Sequence, residues 1–161
     1  MCTRSSSDRR AALALALALL LSACAPRRES PEAYAARNAV IRYDQALVEA
    51  FRASKSSRLT GVATDDEVAR NAAVIAALLR DGKFMEARQI AFEVEKIRLL
   101  PDGRAEVDAA ETWSYEHRPL ADPARPVAPR TVRYALTYRL KRAGEGWAVD
   151  QVVSRGDGRA P

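Results

Sequence analysis

The fold class is decided by one stretch of the sequence, Thr131-Val132-Arg133-Tyr134-Ala135-Leu136-Thr137-Tyr138-Arg139-Leu140. Apolar residues occupy its even positions and mostly polar residues its odd positions, and this period of two is typical of a half-buried β-strand. Gly144 and Gly146 then indicate a turn, and residues 147–153 resume an apolar pattern. The stretch therefore predicts that the chain ends in a pair of antiparallel strands.

Two further strands are predicted upstream of this pair. Apolar residues alternate from Ile90 to Val94 and then continue with the opposite parity, which predicts a β-bulge near Glu95-Lys96. The turn signal Pro101-Asp102-Gly103 leads into a second strand at residues 104–117. Residues 118–130 contain four prolines and are predicted to form a loop, because proline cannot donate to a sheet ladder.

The first half of the chain has a helical period. Ser30-Pro31 is a favourable helix start, and apolar residues recur every three or four positions in residues 31–54. This stripe consists of Ala36, Val40, Tyr43, Leu47 and Phe51. Thr64-Asp65-Asp66-Glu67 predicts a capping box for a second helix, which ends at Asp81-Gly82. Its buried face is predicted to hold Val68, Ala72, Ile75 and Leu79.

This order of elements argues for an α+β fold. Two or three N-terminal helices are expected to pack on a curved, four-stranded antiparallel sheet and to form a cone-like domain at residues 31–154. Residues 155–161 are polar and contain glycine, and we expect a disordered tail there.

The N-terminus has a different character. Arg4, Arg9 and Arg10 precede an apolar run at residues 11–21, and the small residues Ser22-Ala23 then precede Cys24. Charged, apolar and small-residue regions in this order are typical of a secretory signal. The apolar run is well short of the roughly 20 residues that a membrane-spanning helix needs.

Leu21-Ser22-Ala23-Cys24 resembles the lipobox of bacterial lipoproteins. The resemblance implies removal of a signal peptide at residues 1–23, lipidation of Cys24 with chains such as palmitate, and a tether at residues 24–30. It also implies that the protein binds a membrane through this anchor, in the bacterial cell envelope, facing the periplasm or the exterior. Ala25 is not the aspartate that retains many such proteins at the inner membrane, which favours the outer membrane.

The composition argues against several classes of function. Cys2 and Cys24 both lie in or beside the signal, and the chain has one histidine, so we expect no disulfide, no zinc site and no cofactor. The net charge of +5 is spread in mixed sign along the chain, so we expect no nucleic-acid partner.

The element order and the closing segment Gly146-Trp147-Ala148-Val149-Asp150 resemble the nuclear-transport-factor-2-like superfamily, which includes SnoaL-type cyclases and ketosteroid isomerase. The resemblance covers residues 31–153. More narrowly, Glu111-Thr112-Trp113 in a long strand, followed by residues 134–140, resembles the intermembrane-space domain of plastid-division proteins. The superfamily implies a cone with an open sheet face that serves in homodimers, and the narrower resemblance implies a binding or scaffolding module.

Six residues are candidates to line a pocket in the cone. Aromatic rings with a polar end suit amphipathic ligands, but the same rings also fill the core of a curved sheet, and we favour the core interpretation. The six residues are Tyr43, Glu111, Trp113, Tyr115, Tyr134 and Tyr138.

Glu111 has two interpretations. It shares a strand face with apolar residues, so it could point into the cone, where burial would raise its pKa and suit a general base. Alternatively it lies at the rim or pairs with Arg133 or Arg139, and we favour this second interpretation. Asp44 lies in no distinctive catalytic motif, and the single histidine, His117, is expected at the surface.

These observations favour a lipid-anchored, non-catalytic binding or scaffolding domain that holds a protein partner or a small hydrophobic ligand near the membrane. One alternative is a small isomerase or dehydratase that uses a carboxylate in the cone. Another alternative is an accessory module of a secretion or peptidoglycan assembly.

Overall fold

The computed structural model describes residues 29–125 and 127–156 of the 161-residue chain. One antiparallel sheet has the strand order β1-β2-β3-β4, and the helices cover one of its faces, here called the inner face. This confirms the predicted α+β fold. The elements are α1 (Pro31–Ala53), a short 3-10 helix (Ser56–Leu59), α2 (Asp65–Arg80), β1 (Lys83–Leu99), β2 (Ala105–Pro119), β3 (Arg130–Ala143) and β4 (Gly146–Ser154).

The predicted signal peptide, Cys24 and most of the predicted tether lie outside the described residues. Within the described part of the chain, neither α-helix is long and apolar enough to cross a membrane.

Helix α1 packs its apolar stripe on the inner face. The Ser30 side chain accepts a hydrogen bond from the Ala33 N–H at 3.2 Å, so the helix starts where the sequence predicts. Val40, Tyr43 and Phe51 are buried against a core that β2, β3 and β4 supply with Val107, Leu140 and Val149. Burial of one such side chain contributes about 1.5–3 kcal/mol, so the stripe holds α1 to the sheet.

Strand β1 is longer and more irregular than the sequence predicts. It begins at Lys83, and its register against β2 shifts twice. The shift between Val94 and Lys96 confirms the predicted bulge. The other shift, between Gln89 and Ala91, was not predicted, and it leaves Ile90 52% exposed. Ile90 therefore does not share the inner face with Phe92 and Val94, as their alternation would suggest, because the extra residue carries its side chain off that face.

Helix α2 begins and ends as predicted, but the capping box is wrong. Thr64 Oγ1 bonds to Asp150 Oδ1 at 3.0 Å instead of capping the helix. The predicted buried face is also shifted, since Leu79 is 41% exposed. The buried residues are Glu67, Asn71 and Ile75, because this face meets the hydroxyl of Tyr43, which needs polar partners.

The segment between the helices covers part of the free edge of β4. Val149 donates its N–H to the Val62 carbonyl at 2.9 Å, and its carbonyl accepts from Thr64 N–H at 2.9 Å. Leu59, which is fully buried, fixes this segment to the core. Covering an edge in this way blocks pairing with other strands.

The outer face of the sheet is polar. Arg98 forms ion pairs with Glu106 and Asp108, at 2.9 and 2.6 Å, respectively. Arg155, the first residue of the predicted tail, donates its backbone N–H to Ala135 at 2.8 Å, and its side chain pairs with Glu95 at 2.5 Å. The described start of the tail is thus attached to the sheet, while residues 157–161 lie outside the described residues.

The closing Gly146-Trp147 segment lies at the end of the sheet beside the start of α1. Trp147 is 4% exposed, and the guanidinium of Arg142 lies 4.0 Å from its ring centroid. In the described part of the chain, its indole N–H is a buried donor without a hydrogen-bond partner.

We expect Leu59→Ala to destabilise the fold by about 2–5 kcal/mol, because it removes a fully buried side chain and leaves a cavity. Leu120→Ala is the matched control, since Leu120 is 46% exposed and should cost less than about 0.5 kcal/mol. Urea unfolding measures both. Similar losses for the two variants would contradict the role given to the segment between the helices.

Candidate functional site

A cluster of polar side chains lies between α1 and the inner face of the sheet. The hydroxyl oxygen of Tyr138 lies 2.6 Å from Glu111 Oε1 and 3.0 Å from Asp44 Oδ1. Trp113 donates its indole N–H to Glu111 Oε2 at 2.5 Å, and Gln89 donates to Asp44 Oδ2 at 2.9 Å. We call these five residues the carboxylate cluster. Asp44 is 2% exposed and Glu111 1% exposed, so both acids are buried.

Four secondary-structure elements meet at the cluster. Asp44 follows Tyr43 on α1, and Glu111 lies on β2 in the inward parity of Val107 and Trp113. The bulge after Gln89 brings that residue of β1 to the inner face, within reach of Asp44.

Hydrogen counting assigns one extra proton to this cluster. A phenol has one hydrogen, yet Tyr138 contacts two carboxyl groups, so one of the two must be protonated. The shorter contact, at 2.6 Å, is typical of a hydrogen bond to an ionised oxygen, so Tyr138 donates to Glu111. Asp44 then carries the proton and donates it to Tyr138.

The electrostatics agree with this assignment. Burial, and then the charge of Glu111, raise the pKa of Asp44 to about 8. Burial also raises the pKa of Glu111, while the hydrogen bonds from Tyr138 and Trp113 oppose that rise. With the proton on Asp44, the cluster holds one negative charge, on Glu111, which accepts two short hydrogen bonds.

A second buried acid, Glu67, differs from Asp44 and Glu111 because it has an ion-pair partner. Glu67 of α2 accepts from the Tyr43 hydroxyl at 2.6 Å and from Asn71 at 2.9 Å, and it pairs with Arg70 at 2.7 Å. Its charge thus has a cationic partner. Among the described residues, no lysine, arginine or histidine forms an ion pair with Asp44 or Glu111.

Two adjacent cavities border the carboxylate cluster. The larger one, here called the apolar cavity, has a volume of about 470 Å³ and is lined mainly by Leu47, Phe51, Met85, Trp113, Val132 and Tyr134. Exposed His117 and Arg130 also line it and mark its mouth. The smaller one, here called the inner chamber, has a volume of about 220 Å³, and its walls include Tyr43, Glu67, Asn71, Glu111 and Tyr138. Leu47, Trp113, Tyr115 and Tyr134 line both.

The structure places all six sequence-predicted pocket residues at these cavities. Tyr43, Glu111, Trp113 and Tyr138 are buried, whereas Tyr115 and Tyr134 are half-buried. The rim interpretation of Glu111 is wrong, because Glu111 bonds to Tyr138 and Trp113, while Arg139 contacts Glu106 and Gln151. Desolvation is tolerated because Glu111 accepts two hydrogen bonds.

Sequence reasoning missed three residues of the site. Gln89 faces inward only because of the unpredicted bulge. Glu67 was assigned to a helix cap and Asn71 was given no role, and their spacing of four on one helix face was the signal that could have paired them. In the described ranges, no group of three or more potential ligands could hold a metal ion.

Solved structures similar to this chain include a region of a chloroplast protein and a periplasmic fragment. The intermembrane-space region of the chloroplast protein ARC6 is 21% identical, with a TM-score of 0.66 over 80% of this chain and 98% of that one. A periplasmic fragment of TraM is 15% identical, with a TM-score of 0.50 over 74% of this chain and 97% of that one. No protein-family model matches the sequence, and a comparison with curated proteins found no match.

At these identities the similarity establishes a shared fold. The ARC6 match confirms, at that level, the narrower resemblance to the intermembrane-space domain of plastid-division proteins. The resemblance to the nuclear-transport-factor-2-like superfamily and the lipobox stay predictions.

The shared proton makes the stability of the fold depend on pH. Asp44 has a raised pKa in the folded state, so it stabilises the fold at low pH, and this contribution is lost as the pH rises towards about 8. At about 1.4 kcal/mol per pH unit, raising the pH from about 5 to about 8 should cost up to about 4 kcal/mol.

Asp44→Asn should remove this dependence, because an amide can donate to Tyr138 and accept from Gln89 without titrating. Urea unfolding between pH 5 and pH 9 measures the effect, and Asp122→Asn, an exposed loop substitution, is the matched control. If Asp44→Asn has the same pH profile as the unsubstituted protein, the assigned proton is wrong.

Proposed function

We propose that this chain is a lipid-anchored domain of the cell envelope that binds an apolar occupant, either a small hydrophobic ligand or apolar side chains of a protein partner, without transforming it. The apolar cavity carries this proposal. Its volume of about 470 Å³ is in the range of ligand sites, and its walls are mainly apolar or aromatic.

The position of the cavity relative to the predicted anchor supports an occupant from the aqueous side. Cys24 precedes Pro31, the first residue of α1, by a short tether. At about 1.5 Å per residue, Leu47 lies about 24 Å along α1 from Pro31, so the cavity is at the far end of the helix. The occupant would thus be held towards the C-terminal end of α1, away from the helix end that follows the predicted tether.

The similar structures support an envelope location. One is a region of the intermembrane space and the other is a periplasmic fragment, so the fold is found in compartments bounded by membranes. We propose the same setting for this chain, with the outer membrane as the anchored surface. A homodimer, or a role as an accessory module of a secretion or peptidoglycan assembly, is compatible with this proposal.

A second candidate function, a small isomerase or dehydratase, is favoured by one observation. The carboxylate cluster places a tyrosine hydroxyl within hydrogen-bond distance of two buried acids, beside the inner chamber. Such groups can transfer a proton to or from a bound substrate. This candidate predicts conversion of the occupant, whereas binding alone leaves it unchanged.

Cys24→Ser should abolish lipidation, because a hydroxyl does not form the thioether of a lipobox cysteine. We expect the precursor to stay uncleaved and to incorporate no fatty-acid probe, with an unchanged circular dichroism spectrum. Ser22→Ala is the matched control and should be labelled normally. A labelled Cys24→Ser variant would show that the lipobox has been misinterpreted.

Affinity capture of the membrane-anchored protein, with mass spectrometry of proteins and extracted small molecules, tests the binding function. We expect a reproducible apolar occupant that Leu47→Glu reduces at least about tenfold, because a buried charge in an apolar wall is costly. Val74→Glu is the control, since Val74 is 49% exposed and lines neither cavity. Equal recovery from both variants would contradict the proposal, and recovery of a reaction product would favour the enzyme.

A further inference from the structure

We propose that the inner chamber accepts a primary ammonium group carried on an aliphatic stem. This inference rests on the proposed function, because the stem would lie in the apolar cavity. The chemistry is shared by a free alkylamine and by a lysine side chain, and the experiment below distinguishes these two sources.

Uncompensated charge is the first argument. Glu111 lines the chamber as a carboxylate, with two hydrogen bonds and no ion pair among the described residues. On the opposite wall Glu67 has Arg70. A buried carboxylate without a counter-ion is costly. A cation that enters the chamber would therefore stabilise the charge of Glu111, as Arg70 stabilises the charge of Glu67.

Aromatic rings supply the second argument, which is independent of the acids. The rings of Trp113 and Tyr115 are nearly parallel, with an interplanar angle of 9° and centroids 6.1 Å apart. Tyr134 lies at 70° to Tyr115, with centroids 6.4 Å apart, and these three residues form a corner at the junction of the two cavities. Aromatic faces attract cations that lie within about 6 Å of the ring centroid.

Charge at the mouth gives the occupant a direction. Exposed Arg130 lines the apolar cavity, and buried Glu111 lines the adjacent inner chamber. A cation is therefore repelled at the mouth and attracted inside, so the ammonium end enters first. The opposite arrangement, an anion held by Arg130, is the main rival and is tested directly.

Proton release is an expected signature. A cation in the chamber favours ionisation of Asp44, so binding at about pH 7 should release part of a proton, and affinity should rise with pH towards about 8. The titratable and charged groups around Asp44 on the packed elements are Tyr43 of α1, Glu67 of α2, Glu111 and Tyr115 of β2, and Tyr138 of β3.

The test is isothermal titration calorimetry of the lipid-anchored protein in nanodiscs with n-hexylammonium, hexanoate and hexanol, using empty nanodiscs as the blank. We expect hexylammonium to bind at least about tenfold more tightly than the other two, with heats that differ between buffers because a proton is released. Nα-acetyl-lysine N-methylamide is the second cation. Tighter binding of this compound assigns the site to a partner's lysine, and tighter binding of hexylammonium assigns it to a free amine.

Glu111→Gln should lower the hexylammonium affinity at least about tenfold and change hexanol binding less than about twofold. Glu93→Gln, an exposed substitution on β1, is the matched control and should change neither. Tyr134→Leu keeps an apolar wall but lacks the aromatic ring, so it should also remove the preference for hexylammonium over hexanol. This variant replaces Glu111→Gln in the test if Glu111→Gln does not fold.

Equal binding of the three hexyl compounds, a preference for hexanoate, or no binding of either cation would overturn the inference. None of these outcomes would by itself contradict the proposed binding function. Capture of an uncharged or anionic apolar occupant would still support binding in the apolar cavity.

Discussion

The single hydrogen of the Tyr138 hydroxyl lies between two buried carboxyl groups, and the packing of α1 on the sheet depends on how that conflict is resolved. Asp44 comes from α1, Gln89 from β1, Glu111 from β2 and Tyr138 from β3, so the network around one hydroxyl connects four elements. An apolar stripe alone tolerates small displacements, whereas a shift of α1 here would leave buried acceptors unpaired, at about 1–3 kcal/mol each. The cluster thus specifies the position of the helix that the apolar core holds in place.

The interior is electrostatically asymmetric as a result. On the side of α2, the charge of Glu67 is paired with Arg70. On the side of β2, the charge of Glu111 is stabilised by two hydrogen bonds and by a proton on its neighbour. A protein that only needed a stable core would replace these acids with apolar residues at little cost. Glu111 has no ion pair among the described residues and lines a cavity. The stability of the fold and the binding of an occupant therefore depend on the same carboxylate.

Sequence patterns predicted the elements well, because the period of apolar residues follows the same hydrophobic effect that buries them. They predicted the stripe of α1, the alternation of β3 and the bulge near Glu95. They failed for polar residues, because burial of a polar group depends on partners that the local sequence does not contain. Tyr138 and Asp44 are 94 positions apart, and Gln89 and Asp44 are 45 apart. Glu111 was therefore assigned to the rim and Glu67 to a helix cap.

The indole groups of the two tryptophans of the chain have different surroundings. Trp113 donates to an ionised carboxylate at the wall of both cavities. Trp147 is a buried donor without a hydrogen-bond partner among the described residues, and the guanidinium of Arg142 lies over its ring. Indole emission responds to nearby charge and hydrogen bonding, so the two fluorophores should differ in wavelength and quenching. The domain thus carries an intrinsic optical probe of cavity occupancy in Trp113 and an internal reference in Trp147, which lines neither cavity.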